Sequence, residues 1–309
     1  MKKALNLKNI KDIDRSDMLA LLLDFPLQLE VAKELASSAK ILFGKRDFNK
    51  VIFAGLGGSA IGADLARSYL YFESKLPIFV HREYDLPAYV DSSALVFICS
   101  YSGNTEETIS AYLQAKEKGA TVIVISSGGT LKEYSAKDSI TFIKLPEGIA
   151  PRCALGYLSV IPLCILAKLG LIKDLALEIN QAVRVLEDLG WIVMNPRIAS
   201  KDNIAKYIAA KLVNKFTVIY SASVNFDVAA TRLRGQINEN SKALASVCLF
   251  PEMNHNEIVG WQNPDKLLKN FTVLMLRDKD NHPRVAKRME ISKPLIEKEG
   301  ARVIEIWSR

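Results

Sequence analysis

Apolar positions along this chain follow two periods, and the switches between them mark its elements. Residues 15–43 carry Leu19, Leu22, Leu23, Leu27, Val31 and Leu35 at three-to-four spacing, which predicts helix. From residue 50 the pattern alternates. Short apolar runs predict strands at 50–55, 77–80, 94–100, 121–126 and 140–144; stretches with helical spacing predict helices at 59–71, 104–118 and 131–136. Residues 154–213 read as mostly helical, in stretches at 154–172, 173–189 and 200–213, interrupted at Asn195-Pro196. The alternation then restarts, with strands at 216–220, 245–249, 271–276 and 301–306 and helices at 226–241 and 284–299. Strands alternating with helices predict parallel, doubly wound sheets. The expected architecture is α/β: an N-terminal helical segment over 1–48, a first parallel-sheet domain over 49–153, a helical connection over 154–213, and a second similar domain over 214–309.

Composition narrows the class. The chain has 309 residues, 49% hydrophobic and 24% charged, enough for a large core in more than one domain. Its net charge of +7 comes from 41 basic against 34 acidic residues, and the basic residues are scattered. A nucleic-acid surface calls for a basic stripe with interleaved aromatics, so no nucleic-acid partner is expected, and an anionic small substrate suits the sign of the charge. Cys99, Cys153, Cys164 and Cys248 stand far apart, without metal-ligand spacing; they predict small buried hydrophobes in a reducing compartment and no metal site. The N-terminus lacks a signal-peptide core. Residues 154–172 are apolar over nearly the length of a membrane span, but contain Pro162 and Lys168; a buried helix between domains is expected, with no membrane partner and a cytoplasmic location.

The chemistry begins where the strand at 94–100 runs into Ser100-Tyr101-Ser102-Gly103-Asn104-Thr105 and a helix follows. Three hydroxyls and a glycine at a helix N-terminus suit a phosphate, because unpaired N–H groups and the positive end of the helix dipole converge there. Open parallel sheets bind ligands at this edge. A simpler alternative is a plain cap, with Asn104 or Thr105 accepting the first-turn N–H groups and Glu106 and Glu107 complementing the dipole. Upstream, Gly55-Leu56-Gly57-Gly58-Ser59-Ala60 satisfies the dinucleotide fingerprint G-x-G-x-x-A, and Glu83 stands where a ribose-binding acid is expected, so a nicotinamide-dependent oxidoreductase is an alternative. A second loop at 100–108 has no role in that alternative.

The nonapeptide Ser-Tyr-Ser-Gly-Asn-Thr-Glu-Glu-Thr of 100–108 closely resembles the phosphosugar loop of SIS (sugar isomerase) domains. With Gly55–Gly62, Asn238-Glu239-Asn240 and Pro251-Glu-Met-Asn-His-Asn-Glu-Ile-Val-Gly-Trp261, the chain resembles the bifunctional phosphoglucose/phosphomannose isomerases. The resemblance implies two SIS-type domains and reversible isomerisation of glucose 6-phosphate to fructose 6-phosphate, with mannose 6-phosphate as a further substrate. It implies no cofactor. It makes Gly57, Gly58, Ser59, Ser100, Ser102 and Thr105 the substrate-binding residues.

An aldose–ketose isomerase needs a base, a ring-opening acid/base and a cation near developing negative charge. Glu239 lies near the end of the helix at 226–241, whose negative pole favours a raised carboxyl pKa. Read without the family it is by default an exposed helix-end glutamate; the resemblance of Asn238-Glu239-Asn240 to the family's base motif reverses that and makes it the base. The resemblance also makes His255 the ring-opening group, reaching into a partner subunit's site, so a homodimer is implied. Arg152 resembles the arginine that steadies the enediolate. His81 and His282 have no comparable setting. The resemblance further implies a helical segment beyond the last strand, carrying a lysine and a threonine of the site; the sequence ends at Trp307-Ser308-Arg309, so neither is carried over and the second domain is expected to lack its last helix. A phosphosugar-binding SIS module without catalysis is the remaining alternative.

Overall fold

The computed structural model describes residues 7–224 and 226–308, which form two compact units, divided between Asn195 and Pro196. The first unit opens with α1 (Leu7–Ile13), α2 (Met18–Leu23) and α3 (Phe25–Ser38). The single helix expected over 15–43 is broken at Asp24, where Pro26 begins the third helix. Then follow β1 (Lys50–Gly55), α4 (Gly57–Tyr69), β2 (Ile78–His81), β3 (Ala94–Cys99), α5 (Glu106–Glu117), β4 (Thr121–Ser126), α6 (Gly129–Lys137), β5 (Thr141–Lys144), α7 (Leu155–Lys168) and α8 (Ala176–Asp188).

The five strands form one parallel sheet in the order β2-β1-β3-β4-β5. Its central strands are near-continuous apolar runs because both faces are covered. Val51, Phe53, Leu95, Phe97, Ile123 and Ile125 pack with α3, α4 and α7. The alternate residues Ile52, Ala54, Val96, Ile98, Val122 and Val124 pack with α5 and α6. The winding reverses between β1 and β3, whose carboxyl ends are in register, Gly55 against Cys99.

The apolar stretch expected between domains is instead the innermost helix of this unit. Helix α7 is buried on nearly every side, including Pro162, and packs on α3 and α4. Its 14 residues reach about 21 Å, short of the ~30 Å hydrocarbon layer. Among the described residues no helix is long and apolar enough to cross a membrane.

The second unit contains α9 (Ile204–Leu212), β6 (Phe216–Ala222), α10 (Asp227–Ser241), β7 (Ala245–Phe250), α11 (Asp265–Leu268), β8 (Phe271–Arg277), α12 (Pro283–Lys298) and β9 (Arg302–Trp307). Its parallel sheet has the order β7-β6-β8-β9, with the reversal between β6 and β8. Ile219, Leu274 and Ile304 face α9 and α10. Tyr220, Val273 and Met275 face α12 and the turns of 252–262. The two doubly wound α/β sheets expected from the alternation are both present.

The four cysteines are free thiols. Burial pushes Cys99 up to about 12 and, with Asp174 nearby, Cys164 up to about 11, which leaves both unreactive near neutrality.

Candidate active site

Two loops leave the carboxyl edge of the first sheet from adjacent strands about 4.8 Å apart. One follows β1 and starts α4 at Gly57, Gly58 and Ser59; the other follows β3 and runs from Ser100 to Thr105 before α5. This is the reversal point of an open parallel sheet, where ligands settle.

Both helix N-termini lack a side-chain cap. At α4 the N-cap position is Leu56, which offers no side-chain acceptor. At α5 it is Thr105, whose side chain makes no capping bond; its Oγ1 lies 2.9 Å from Ser100 Oγ instead. The other candidate cap, Asn104, is engaged elsewhere: its Oδ1 accepts the Thr130 N–H at 2.9 Å and the Thr130 hydroxyl at 3.0 Å, on α6. The plain-cap alternative therefore fails for α5. α4 and α5 thus begin on the same edge of the sheet without side-chain caps, an arrangement that suits an anion.

The loop's shape is fixed from within. The Gly103 N–H donates to Ser100 Oγ at 3.1 Å, and the Asn104 N–H to Ser102 Oγ at 3.3 Å. Gly103 has φ +73°, and a Cβ there would stand 1.8 Å from the Gly128 carbonyl oxygen. No other residue fits. Ser59 and Ser100 are buried, Thr105 is half-buried and Ser102 is exposed.

Arg152 joins this edge through its backbone. It lies in the turn Pro151–Cys153, and a Cβ on Gly58 would meet the Pro151 carbonyl oxygen at 2.8 Å and the Arg152 Cα at 3.4 Å. The arginine turn can rest on α4 because position 58 has no side chain. A residue missed by sequence reasoning fixes that turn: buried Gln28 of α3 donates to the Cys153 carbonyl at 2.8 Å and accepts the Gly156 N–H at 3.1 Å. Only its apolar neighbourhood on α3 could have marked it as a buried polar side chain.

Glu239 and His255 belong to the second unit. Glu239 is exposed near the end of α10, next to Asn238, whose Oδ1 accepts the Ala245 N–H at 3.1 Å where β7 begins. His255 is exposed just beyond the other end of β7, its N–H bonded to the Glu252 carbonyl at 2.9 Å. The six residues of β7 separate the two edges by about 17 Å. The unit therefore holds these two groups at opposite edges of its sheet.

Residues of the segment that carries His255 join a network that the sequence did not reveal. The Tyr220 hydroxyl donates to Glu257 Oε1 at 2.5 Å and accepts the Trp261 Nε1–H at 2.8 Å. Burial, and then the hydrogen bond to Glu257, push the Tyr220 phenol far up from its ordinary range. Burial and the same carboxylate push the Cys248 thiol up to about 11. Among the described residues there is no cluster of side chains suited to a metal ion.

Comparison with known proteins identifies the family and the fold. Residues 46–151 match the SIS domain model. Residues 201–309 match the bacterial phospho-glucose isomerase C-terminal SIS domain. The chain is 46% identical to a bifunctional phosphoglucose/phosphomannose isomerase of Caldicellulosiruptor bescii over 92% of its own length and 84% of that protein's. It is 36% identical to the protein of the same name from Aquifex aeolicus, over 82% of this chain and 74% of that one. Among solved structures, the C-terminal domain of glucosamine-fructose-6-phosphate aminotransferase from Francisella tularensis is similar in fold, with TM-score 0.66 and 16% identity over 93% of this chain and 84% of that one.

Proposed function

The chain belongs to the bifunctional phosphoglucose/phosphomannose isomerase family, and on that basis we propose that it interconverts glucose 6-phosphate and fructose 6-phosphate, with mannose 6-phosphate as a further substrate. The observation that carries the reading is the edge at β1 and β3, where two helix N-termini without side-chain caps meet a loop of hydroxyls. Such an edge matches a sugar phosphate dianion. Gly57, Gly58, Ser59, Ser100, Ser102 and Thr105 hold that phosphate, as a proposal drawn from the geometry and the family together. The fingerprint glycines serve this edge rather than a dinucleotide.

The reaction moves a carbon-bound proton between C2 and C1 through an enediolate, while a hydroxyl proton passes between O2 and O1. Glu239 takes the proton from C2 and returns it to C1; His255 moves the proton that opens and recloses the ring; the Arg152 cation stabilises the enediolate oxygen. One sugar needs the base and the ring-opening group within a few ångströms of neighbouring atoms. Glu239 and His255 of one chain are held at opposite ends of β7. That separation supports a homodimer in which the His255 serving one site comes from the other copy. A cytoplasmic place in carbohydrate metabolism follows from the substrates.

The test is a coupled isomerase assay on Glu239→Ala, on His255→Ala and on the two mixed after co-refolding. Each variant alone is inactive. Random reassortment of a twofold dimer restores about one quarter of the wild-type activity, because half the dimers are mixed and each has one intact site. Binding of fructose 6-phosphate without turnover by the unmodified chain would favour a sensor and sink the isomerase reading. Restoration absent from the mixture would sink the shared site.

A further inference from the structure

His255 rides on the segment 251–262, and its imidazole has no hydrogen-bond partner among the described residues. Its direction is therefore set by the backbone that carries it, and that backbone is fixed at several points. Met253 is buried in the core. Asn254 Nδ2 donates to Ser292 Oγ of α12 at 3.0 Å. Asn256 Nδ2 donates to Glu252 Oε1 at 3.2 Å. Two residues beyond His255, the Glu257 carboxylate is tied to the Tyr220 hydroxyl, and that hydroxyl to the Trp261 indole.

Tyr220 is fully buried and Trp261 is 6% exposed. A buried phenol deprived of its acceptor keeps an unmet donor in the core, which is costly, so Glu257 is held where Tyr220 requires it. The phenol's one donor and one accepting position are both used. Its pKa is pushed up by burial and by Glu257, so it stays protonated and donating across the working range.

We propose that Glu257, clamped by Tyr220 and Trp261, is a positioning residue for His255: it fixes the 251–262 segment so that the imidazole is presented in one orientation to the sugar ring. The proposal rests on the reading of His255 as the ring-opening group. It concerns geometry, so a neutral acceptor of the same shape serves in place of the carboxylate, and no proton passes through Glu257.

Four variants of the full chain decide it: Tyr220→Phe, Glu257→Leu, their double mutant and Glu257→Gln. Tyr220→Phe and Glu257→Leu lower kcat about 100-fold, the cost of a misplaced catalytic group. The KM for fructose 6-phosphate stays within about twofold, since binding is not touched. The double mutant loses no more than the worse single variant, because the two side chains act as one unit. Glu257→Gln keeps an oxygen acceptor and recovers kcat to within about threefold of wild type. The His255 ring resonance, one of three histidines, broadens in Glu257→Leu and sharpens again in Glu257→Gln.

An unchanged kcat in a folded Glu257→Leu overturns the proposal, as does a Gln variant as poor as Leu. A loss of kcat with an unmoved His255 resonance also overturns it. Should Glu257→Leu fail to fold, Tyr220→Phe, which removes one oxygen, is the deciding variant. His255→Asn separates the layers. If it stays active, the ring-opening reading itself fails; if it is inactive while Glu257→Leu is active, only the positioning role fails.

Discussion

The carboxyl edges of the two sheets are built from the same winding and hold opposite chemistry. At the first, α4 and α5 both begin without a side-chain cap, and the Ser100 hydroxyl accepts the Gly103 N–H beside Thr105. At the second, the hydroxyl near the end of the central strand β6 is turned to its own backbone: Ser221 Oγ donates to the Ala222 and Phe226 carbonyls at 3.1 and 3.2 Å. Tyr220, Trp261 and Met253 pack together in the core beside β6 and β7. The first edge keeps uncapped helix starts and a group of hydroxyls, which suits an anion. The second sheet carries buried aromatic packing next to β7, which suits a platform for the exposed His255. One topology thus presents hydroxyls at one edge and buried aromatics beside the other, according to which residues its loops carry.

Substitutions can break this contrast on either side. The largest expected effect is at Trp261. Replacing it with Ala removes a buried indole and its bond to Tyr220, costing about 3–5 kcal/mol of stability. Chemical denaturation checks this, and the affinity for fructose 6-phosphate, proposed to rest on the loop at 100–105 of the first sheet, should be kept under conditions where the variant is folded. Next comes Gly103→Ala. The added methyl collides with the Gly128 carbonyl at a left-handed φ, which costs about 3 kcal/mol and abolishes sugar-phosphate binding, read by calorimetric titration with fructose 6-phosphate.

Ser100→Ala is milder. It removes one hydroxyl from the loop and weakens fructose 6-phosphate by about tenfold with little change in kcat. Ser221→Ala, on the central strand of the second sheet, leaves that affinity unchanged; a loss there would end the contrast between the edges. The smallest effect concerns acid. Burial pushes the Glu305 carboxyl up, but the Lys293 hydrogen bond and charge, with Arg277, hold it below its ordinary value. A carboxyl lowered in the folded state adds stability above its unfolded pKa and loses it as pH falls through the folded value. Glu305→Gln therefore narrows the difference in thermal midpoint between pH 7 and pH 3, measured by calorimetry.

Much of the architecture was legible because its signals are local. The strand 121–126 matches the apolar run residue for residue, and the helices at 106–117 and 283–298 fall within a few residues of their expected spans. The helix over 15–43 was overextended, since its apolar spacing continues across the break at Asp24. The placement of α7 was misjudged because an apolar run reports burial without reporting its partners. The loop of 100–105 was legible as a composition of hydroxyls and glycine between a strand and a helix, but its cap alternative was open. Thr130, which engages Asn104, lies 26 residues away.

The amino-acid sequence by itself determined the alternation of strands and helices, the hydroxyl loop after β3 and, through its motifs, the family. These depend on neighbours a few residues apart, where period and turn chemistry act directly. Tertiary structure alone decided that Gln28 supports the arginine turn across 125 residues, that Tyr220, Glu257 and Trp261 form one clamp, and that Glu239 and His255 sit at opposite ends of β7. Such pairings arise when a buried polar atom must find whichever partner the packed sheets bring within reach. Sequence spacing carries no record of that distance.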